Sequence, residues 1–320
     1  MTVTAPDRFG SLDDALGPAA GRYFGDGYRA VRRSLGPIEP TGTPGVLTGS
    51  ARLRYPRSWS IKDGATLIPH LSSVGAVVLA GDAALALLTS TLGLDPGDLT
   101  ERNIVDLTVV AGTAPTEDLT AVPLTLTTPE QSTRTGSDTS RSTVGYRLGG
   151  MRGTVTVAHP PAARVQAVHG PISVDLDRDG TLRRRVVIDD LVLHDDGVSG
   201  VADVTTLDDE PAPMRARVSM IDGLVGAAQL AQIALYHLDR IDRSTSNTLW
   251  MRKLRIRAAA RPHLETPLPV QLTVSRSSVV QMGGAPWRSA SLDLTDFGGI
   301  TVSCLAAHQL PNGLPDGCRR

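Results

Sequence analysis

Two apolar stretches of this chain, Leu71–Leu88 and Val218–Leu235, align with each other without a gap at a spacing of 147 residues. Ser72 falls opposite Ser219, and the same spacing goes on to pair Leu107 with Leu254, Ala111 with Ala258 and Pro115 with Pro262. A slip of one residue then matches Pro123–Thr127 with Pro269–Thr273. A helix and the strands after it have therefore been duplicated, which restricts the fold to architectures made of two like halves. The copies differ at one chemically important place, where Asp222 stands opposite Gly75. A capping group is wanted in both copies, whereas a single active site needs its acid only once.

Each copy carries one long helix. The first is expected over Ser72–Thr91, ending before Gly93, and the second over Met220–Leu238. The first is apolar almost all round, which suits a helix buried on most sides. Strand patterns cover Val46–Arg54, Asn103–Ala111, Leu119–Thr128 and Thr143–Ala158 in the first half. In the second they cover Ile172–Leu176, Leu182–Leu193, Val198–Leu207, Trp250–Ala260, Leu268–Ser277, Trp287–Asp293 and Gly299–His308. A turn is expected at Asp177–Gly180, and the Ser/Thr-rich stretch Glu130–Ser142, without an apolar anchor, reads as a mobile loop. A doubly wound α/β domain would need many helices alternating with strands. The pattern predicts an α+β fold instead, the double hotdog, in which each tandem half is an antiparallel sheet wrapped round one long helix. Residues 1–45, with the short helical candidate Leu12–Leu16, read as a lead-in packed on the fold. Residues 46–160 form the first half and 161–320 the second.

Composition narrows function mainly by exclusion. A net charge of −1 with 41% hydrophobic residues gives no basic excess for nucleic acid. The longest apolar run, Val74–Leu88, is interrupted by Asp82 and is short for a bilayer span, so no membrane role is expected. The N-terminus lacks the basic and apolar regions of a secretory signal. Cys304 and Cys318 have no metal-like spacing, so a cytoplasmic protein without a metal site is expected. Lysine occurs only at Lys62 and Lys253, which reads as coding bias. The chain has no G-x-S-x-G elbow, P-loop or dinucleotide fingerprint, which argues against common serine hydrolases, kinases and nicotinamide enzymes. No cofactor is expected.

Candidate chemistry centres on the second helix. Asp222, Gly226, Gln229 and Tyr236 share one helical face, and polar groups on a buried helix demand partners or a cavity. Gly226 gives up about 1 kcal/mol of helix propensity, for close approach either of a ligand or of a strand. Ser219–Asp222 reads as a capping box with an acidic partner, so Asp222 is either a cap or a proton carrier. His70, just before the first helix, is either a solvated ring or an acid/base partner reaching across the halves. In the segment Arg240–Arg252, the side chains of Arg243, Ser246 and Asn247 suit a sugar or a phosphopantetheine phosphate, or simply a polar loop before a strand. The other histidines follow no metal-ligand spacing.

Several segments together resemble the avirulence protein D (AvrD) family: Ser11–Gly17, Arg22–Tyr28, Pro69–Ser73, and Gln229–Tyr236 through Thr248–Arg252. That family is associated with syringolide formation. The resemblance implies an enzyme that joins a β-ketoacyl thioester, carried by acyl carrier protein or CoA, to a ketopentose such as xylulose and promotes ring closure. The second helix also looks like the acid-bearing helix of double-hotdog dehydratases, with Asp222 near its start and His70 supplied by the other half. The Gly and Pro that follow the usual dehydratase histidine are not matched around His70. The expected mechanism places the acyl chain in an apolar tunnel near Gly226, Asp222 as proton carrier and His70 assisting. Gln229 and Tyr236 complete that face, and Arg243 and Asn247 hold the polar partner. Alternatives are a dehydratase or thioesterase acting on acyl thioesters, or a non-catalytic lactone binder; association into a homodimer stays open.

Overall fold

The computed structural model describes residues 7–62, 64–95, 98–133, 139–161, 166–174, 176, 181–206, 218–259 and 267–311. In chain order the first-half strands are β1 (Arg8–Ser11), β2 (Arg32–Leu35), β3 (Glu39–Pro40), β4 (Val46–Arg54), β5 (Ile61–Lys62), β6 (Ala65–Thr66), β7 (Ile104–Val110), β8 (Val122–Thr127), β9 (Glu130–Thr133), β10 (Ser140–Leu148) and β11 (Met151–His159). The second half adds β12 (Arg184–His194), β13 (Gly197–Thr206), β14 (Trp250–Ala258), β15 (Leu268–Met282), β16 (Ala285–Phe297) and β17 (Ile300–Gln309). Among the described residues the α-helices are the short α1 (Leu12–Leu16) and two long ones, α2 (Ser73–Leu92) and α3 (Met220–Asp239). Both ends of α3 lie 147 residues beyond those of α2, as the repeat requires.

The main sheet runs in the order β1-β12-β13-β15-β16-β17-β14-β7-β11-β10-β8-β4-β2, with β3 beside β4 and β9 beside β10, while β5 and β6 pair only with each other among the described residues. Read outward from the β14–β7 pair, the two wings mirror each other. β17 answers β11, β16 answers β10, β15 answers β8, β13 answers β4 and β12 answers β2. The dyad falls on one residue pair: Thr108 lies opposite Arg255, its own counterpart at the repeat spacing. Each wing wraps its helix, and the two helices touch. This is the double hotdog that the repeat predicted.

The helices start and stop for local reasons. Ser72 accepts from Gly75 N–H and Ser219 from Asp222 N–H, which satisfies an orphan donor at each entrance. α2 ends at Gly93, whose φ of 63° suits glycine. By length and composition α2 could cross a membrane, yet 78% of its apolar window is buried inside the fold. It is the core helix of the first half.

Four expectations are corrected. Thr143–Ala158 is not one strand but the hairpin β10–β11, which reverses at Gly149 (φ 52°) and Gly150. Ile172–Leu176 contributes only a single bridge, Ile172 to Ile38. The lead-in is part of the sheet: β1 pairs with β12 of the second half, while β2 and β3 pair with β4 of the first. Residues 130–133, expected in a loop, form β9 against β10. The expected turn at Asp177–Gly180 lies outside the described residues, as do residues 134–138.

At the far end of α3 a buried ionic cluster holds the helix to the sheet. Asp239 accepts from Arg288 Nε (3.0 Å) and Nη2 (2.6 Å) on β16 and from His308 Nε2 (2.8 Å) on β17. The three side chains are at most 1% exposed. A carboxylate in the last turn opposes the helix dipole, and the two donors offset that cost. Removing one partner of a buried pair strands its charge, so Asp239→Ala should lower unfolding free energy by about 3 kcal/mol or more. Urea denaturation of the two proteins measures it.

Candidate functional site

A cavity of about 770 Å³ lies between α3 and the inner face of the second-half sheet. Its floor is apolar. Leu224, Ala227, Ala228 and Ala231 of α3 face Leu254, Leu272, Leu292, Val302 and Cys304 of β14–β17. Small side chains on the helix make this space. Burial raises the Cys304 thiol to about 12, so it is an inert wall and no nucleophile. The mouth is polar and is built largely by the first half: Lys62, His70, Ser72, Ser73 and the stretch Thr113–Thr116, joined by Arg243 and Trp250.

His70 is held in a defined state. Its Nδ1 lies 3.1 Å from the Ile68 carbonyl, which can only accept, so Nδ1 carries the proton and Nε2 keeps its lone pair. Tyr55 OH donates to the His70 carbonyl at 2.8 Å, fixing the backbone. The ring sits between Trp59 (5.8 Å) and Trp250 (5.0 Å), one from each half. Burial lowers its pKa below the ordinary 6.5. A neutral imidazole with a free acceptor nitrogen therefore lines the cavity at pH 7.

The two helix entrances, alike in sequence, differ in what meets them. At α3 the capping box forms as expected: Ser219 N–H donates to Asp222 Oδ2 at 2.8 Å, and Asp222 N–H to Ser219 Oγ at 3.0 Å. Met220 N–H donates to Glu101, and Arg184 Nη1 approaches Asp222 Oδ2 at 3.1 Å. Asp222 is 1% exposed and is not part of the cavity wall. At α2 there is no acidic residue in the first turn. Ser72 Oγ accepts from Gly75 N–H and is paired with Tyr23 OH. Ser72 and Ser73, at the start of α2, both border the cavity, and the first N–H groups of a helix have no partner within it. The positive end of a 20-residue helix thus opens on the space. A side chain at Gly75 would be tight, since a Cβ there would lie 3.2 Å from Leu53 Cδ2 and 3.3 Å from Ser72 Oγ, so an aspartate like the one at 222 would require Leu53 to shift.

The model of the family described as Pseudomonas avirulence D protein (AvrD) matches residues 7–311. The chain belongs to the AvrD family. No curated protein matches it. Solved structures similar to it include acyl-CoA thioesterase II TesB2 from Mycobacterium marinum, at 12% identity over 86% of this chain and 97% of that one, TM-score 0.36. The 12:0-ACP thioesterase from Umbellularia californica matches at 12% over 89% and 99%, TM-score 0.41. A conserved hot dog fold protein from Alicyclobacillus acidocaldarius matches at 11% over 85% and 96%, TM-score 0.34.

In this AvrD-family chain the residues proposed from sequence are divided between the cavity and the framework. His70 and Arg243 line the cavity. Gly226 does not: a Cβ there would meet the Phe297 ring at 2.9 Å, so its smallness serves strand packing. Gln229 Oε1 accepts from Arg22 Nη1 at 2.6 Å in the buried interior. Tyr236 is 4% exposed and packs edge-on against His308. Asn247 Nδ2 donates to the Gln309 carbonyl on the surface, and Ser246 bonds Lys62. The helical face from Asp222 to Tyr236 was read correctly as one face, but it is the face turned away from the cavity.

The motif Arg22–Tyr28 explains itself here. It forms a wide π-type turn in which a Cβ on Gly27 would lie 1.9 Å from the Trp59 carbonyl oxygen, so only glycine fits. The turn sends Arg22 to α3 and Tyr23 to the α2 cap, which locks both helices to the mouth. Lys62, Ser73 and Trp59 were not singled out from sequence; the rarity of lysine was the one available signal for Lys62. Since Asp222 ties α3 to Arg184, Asp222→Asn should cost about 3 kcal/mol of stability. Ligand affinity of the folded fraction should stay unchanged; paired thermal melts and binding titrations test both.

Proposed function

We propose that this protein is a biosynthetic enzyme of acyl-thioester metabolism that condenses a β-ketoacyl thioester with a ketopentose such as xylulose and promotes ring closure. The observation that carries the reading is an apolar cavity whose mouth combines a neutral, lone-pair-bearing His70 with the open entrance of α2. Membership of the AvrD family supports it. A cavity of about 770 Å³ falls in the ordinary range for small-molecule sites.

In this reading the acyl chain lies along Ala227, Ala228 and Ala231 with its thioester at the mouth. The helix entrance at Ser73 polarises the thioester oxygen and stabilises the charge that develops on it. His70 Nε2 takes the proton of a sugar hydroxyl as that oxygen bonds to the acyl carbon. The C–S bond breaks, and the proton passes to the departing thiolate. His70 Nε2, free again, takes a second proton from the methylene between the two carbonyls of the β-keto ester. That carbon attacks the sugar ketone and closes the lactone ring, the alkoxide so formed takes the proton back, and loss of water then leaves the unsaturated lactone. The methylene is already acidic, so positioning and a modest base suffice. Asp222, expected as the acid, is assigned instead to holding α3.

Incubation with a β-ketoacyl thioester, with and without xylulose, tests this by mass spectrometry. A condensed product that requires the sugar is expected. Thiol release or water loss without sugar would replace the reading with a thioesterase or dehydratase. His70→Gln should lower turnover by about 100-fold or more while the fold is kept; unchanged turnover removes His70 from the chemistry. Because only neutral His70 accepts a proton, kcat/KM should fall as pH drops. Burial places that acid limb below the ordinary histidine value of 6.5.

A further inference from the structure

The charged lining of the cavity is one-sided. Lys62, Arg243 and Arg252 border it, and no aspartate or glutamate does among the described residues. The chain as a whole has 33 acidic against 32 basic side chains, so this is a local arrangement and no echo of composition. Lys62 Nζ donates to the Ser246 carbonyl (3.1 Å), Ser246 Oγ (2.8 Å) and the Asn247 carbonyl (2.9 Å). Arg243 donates to the carbonyls of Ile61 (3.2 Å) and Gly21 (2.9 Å). All of these acceptors are neutral. Burial, and after it the charge of Arg243, lowers Lys62 to about 8. Among the described residues no carboxylate stands between these two part-buried like charges, and beyond the neutral acceptors Lys62 has only the Tyr236 ring, 5.8 Å away, so a bound anion would offset the remaining repulsion. The open entrance of α2 adds further positive potential. An acyl tail accounts for none of this.

We propose that the mouth of the cavity contains a phosphate-binding subsite, in which Lys62 and Arg243 receive a phosphate group carried by a reactant. The inference rests on the cavity being the substrate site. A phosphate reaches it from one of two sources, the phosphopantetheine arm of the thioester or a 5-phosphate on the ketopentose. Both present the oxygens that a lysine and an arginine recognise.

The chain supplies its own reporter. All three of its tryptophans, Trp59, Trp250 and Trp287, line the cavity, so intrinsic fluorescence reads occupancy without turnover. The full chain is titrated with xylulose against xylulose 5-phosphate, and with pantetheine against 4′-phosphopantetheine. At least one phosphorylated ligand should bind about tenfold or more tightly than its neutral counterpart, and the pair that shows the preference names the source. Lys62→Gln and Arg243→Gln should each erase most of the preference, and Lys62→Arg should keep it. If the glutamine variants do not fold, added KCl decides in the wild type by weakening the phosphorylated ligand selectively. Equal binding within both pairs overturns the proposal. So does a preference that survives both glutamine variants or is indifferent to salt. A phosphate preference without condensed product sinks the condensation reading and leaves the subsite standing. Condensed product without a phosphate preference does the reverse.

Discussion

The antiparallel seam between β7 and β14 is the constraint on which the molecule depends. Leu107, Val109, Leu254 and Ile256 point inward from it and are at most 1% exposed. Because Thr108 meets its own counterpart Arg255, every later strand finds its place by outward extension from a local dyad. The same dyad sets α2 and α3 against each other under a continuous sheet. Without the seam each half would present an unpaired sheet edge to water, and such edges invite association with other chains.

Symmetry of backbone does not become symmetry of chemistry. Both helices begin at a buried serine, yet one entrance is filled by Asp222, Glu101 and Arg184 and the other is left open to the cavity. The difference follows from what surrounds each start. Leu53 packs closely over Gly75, while Arg184 supplies Asp222 with a countercharge. The filled entrance holds the fold, and the open one is free for work on a ligand.

Much of this architecture was legible in the sequence because it is written locally. Serine caps, Gly93 and the run of apolar residues mark α2, and the repeat transfers those marks to α3. Val46–Arg54 was legible from alternation alone. The β10–β11 hairpin was not, because apolar alternation continues on both sides of Gly149–Gly150 and hides the reversal. β1 and β2 were missed as sheet members because their pairings, such as Arg8 with Val192, join residues far apart in sequence. At the site, helical periodicity correctly grouped Asp222, Gly226, Gln229 and Tyr236. It could not say which face meets a strand and which meets empty space: Phe297 takes the first, and the alanines at 227, 228 and 231 border the second.

The pairing of β1 with β12 also sets an order of assembly. The segment that carries Arg22 and Tyr23 is synthesised before the second half, but its contacts reach Gln229 and, through β1, Val192. Such long loop closures are slow, and domains generally fold N-terminal first during synthesis. The first wing can pair its own strands early, while the mouth of the cavity waits for the second wing. The pocket is therefore completed only once both wings are made, and a nascent chain stalled between its two halves would hold a core without a site.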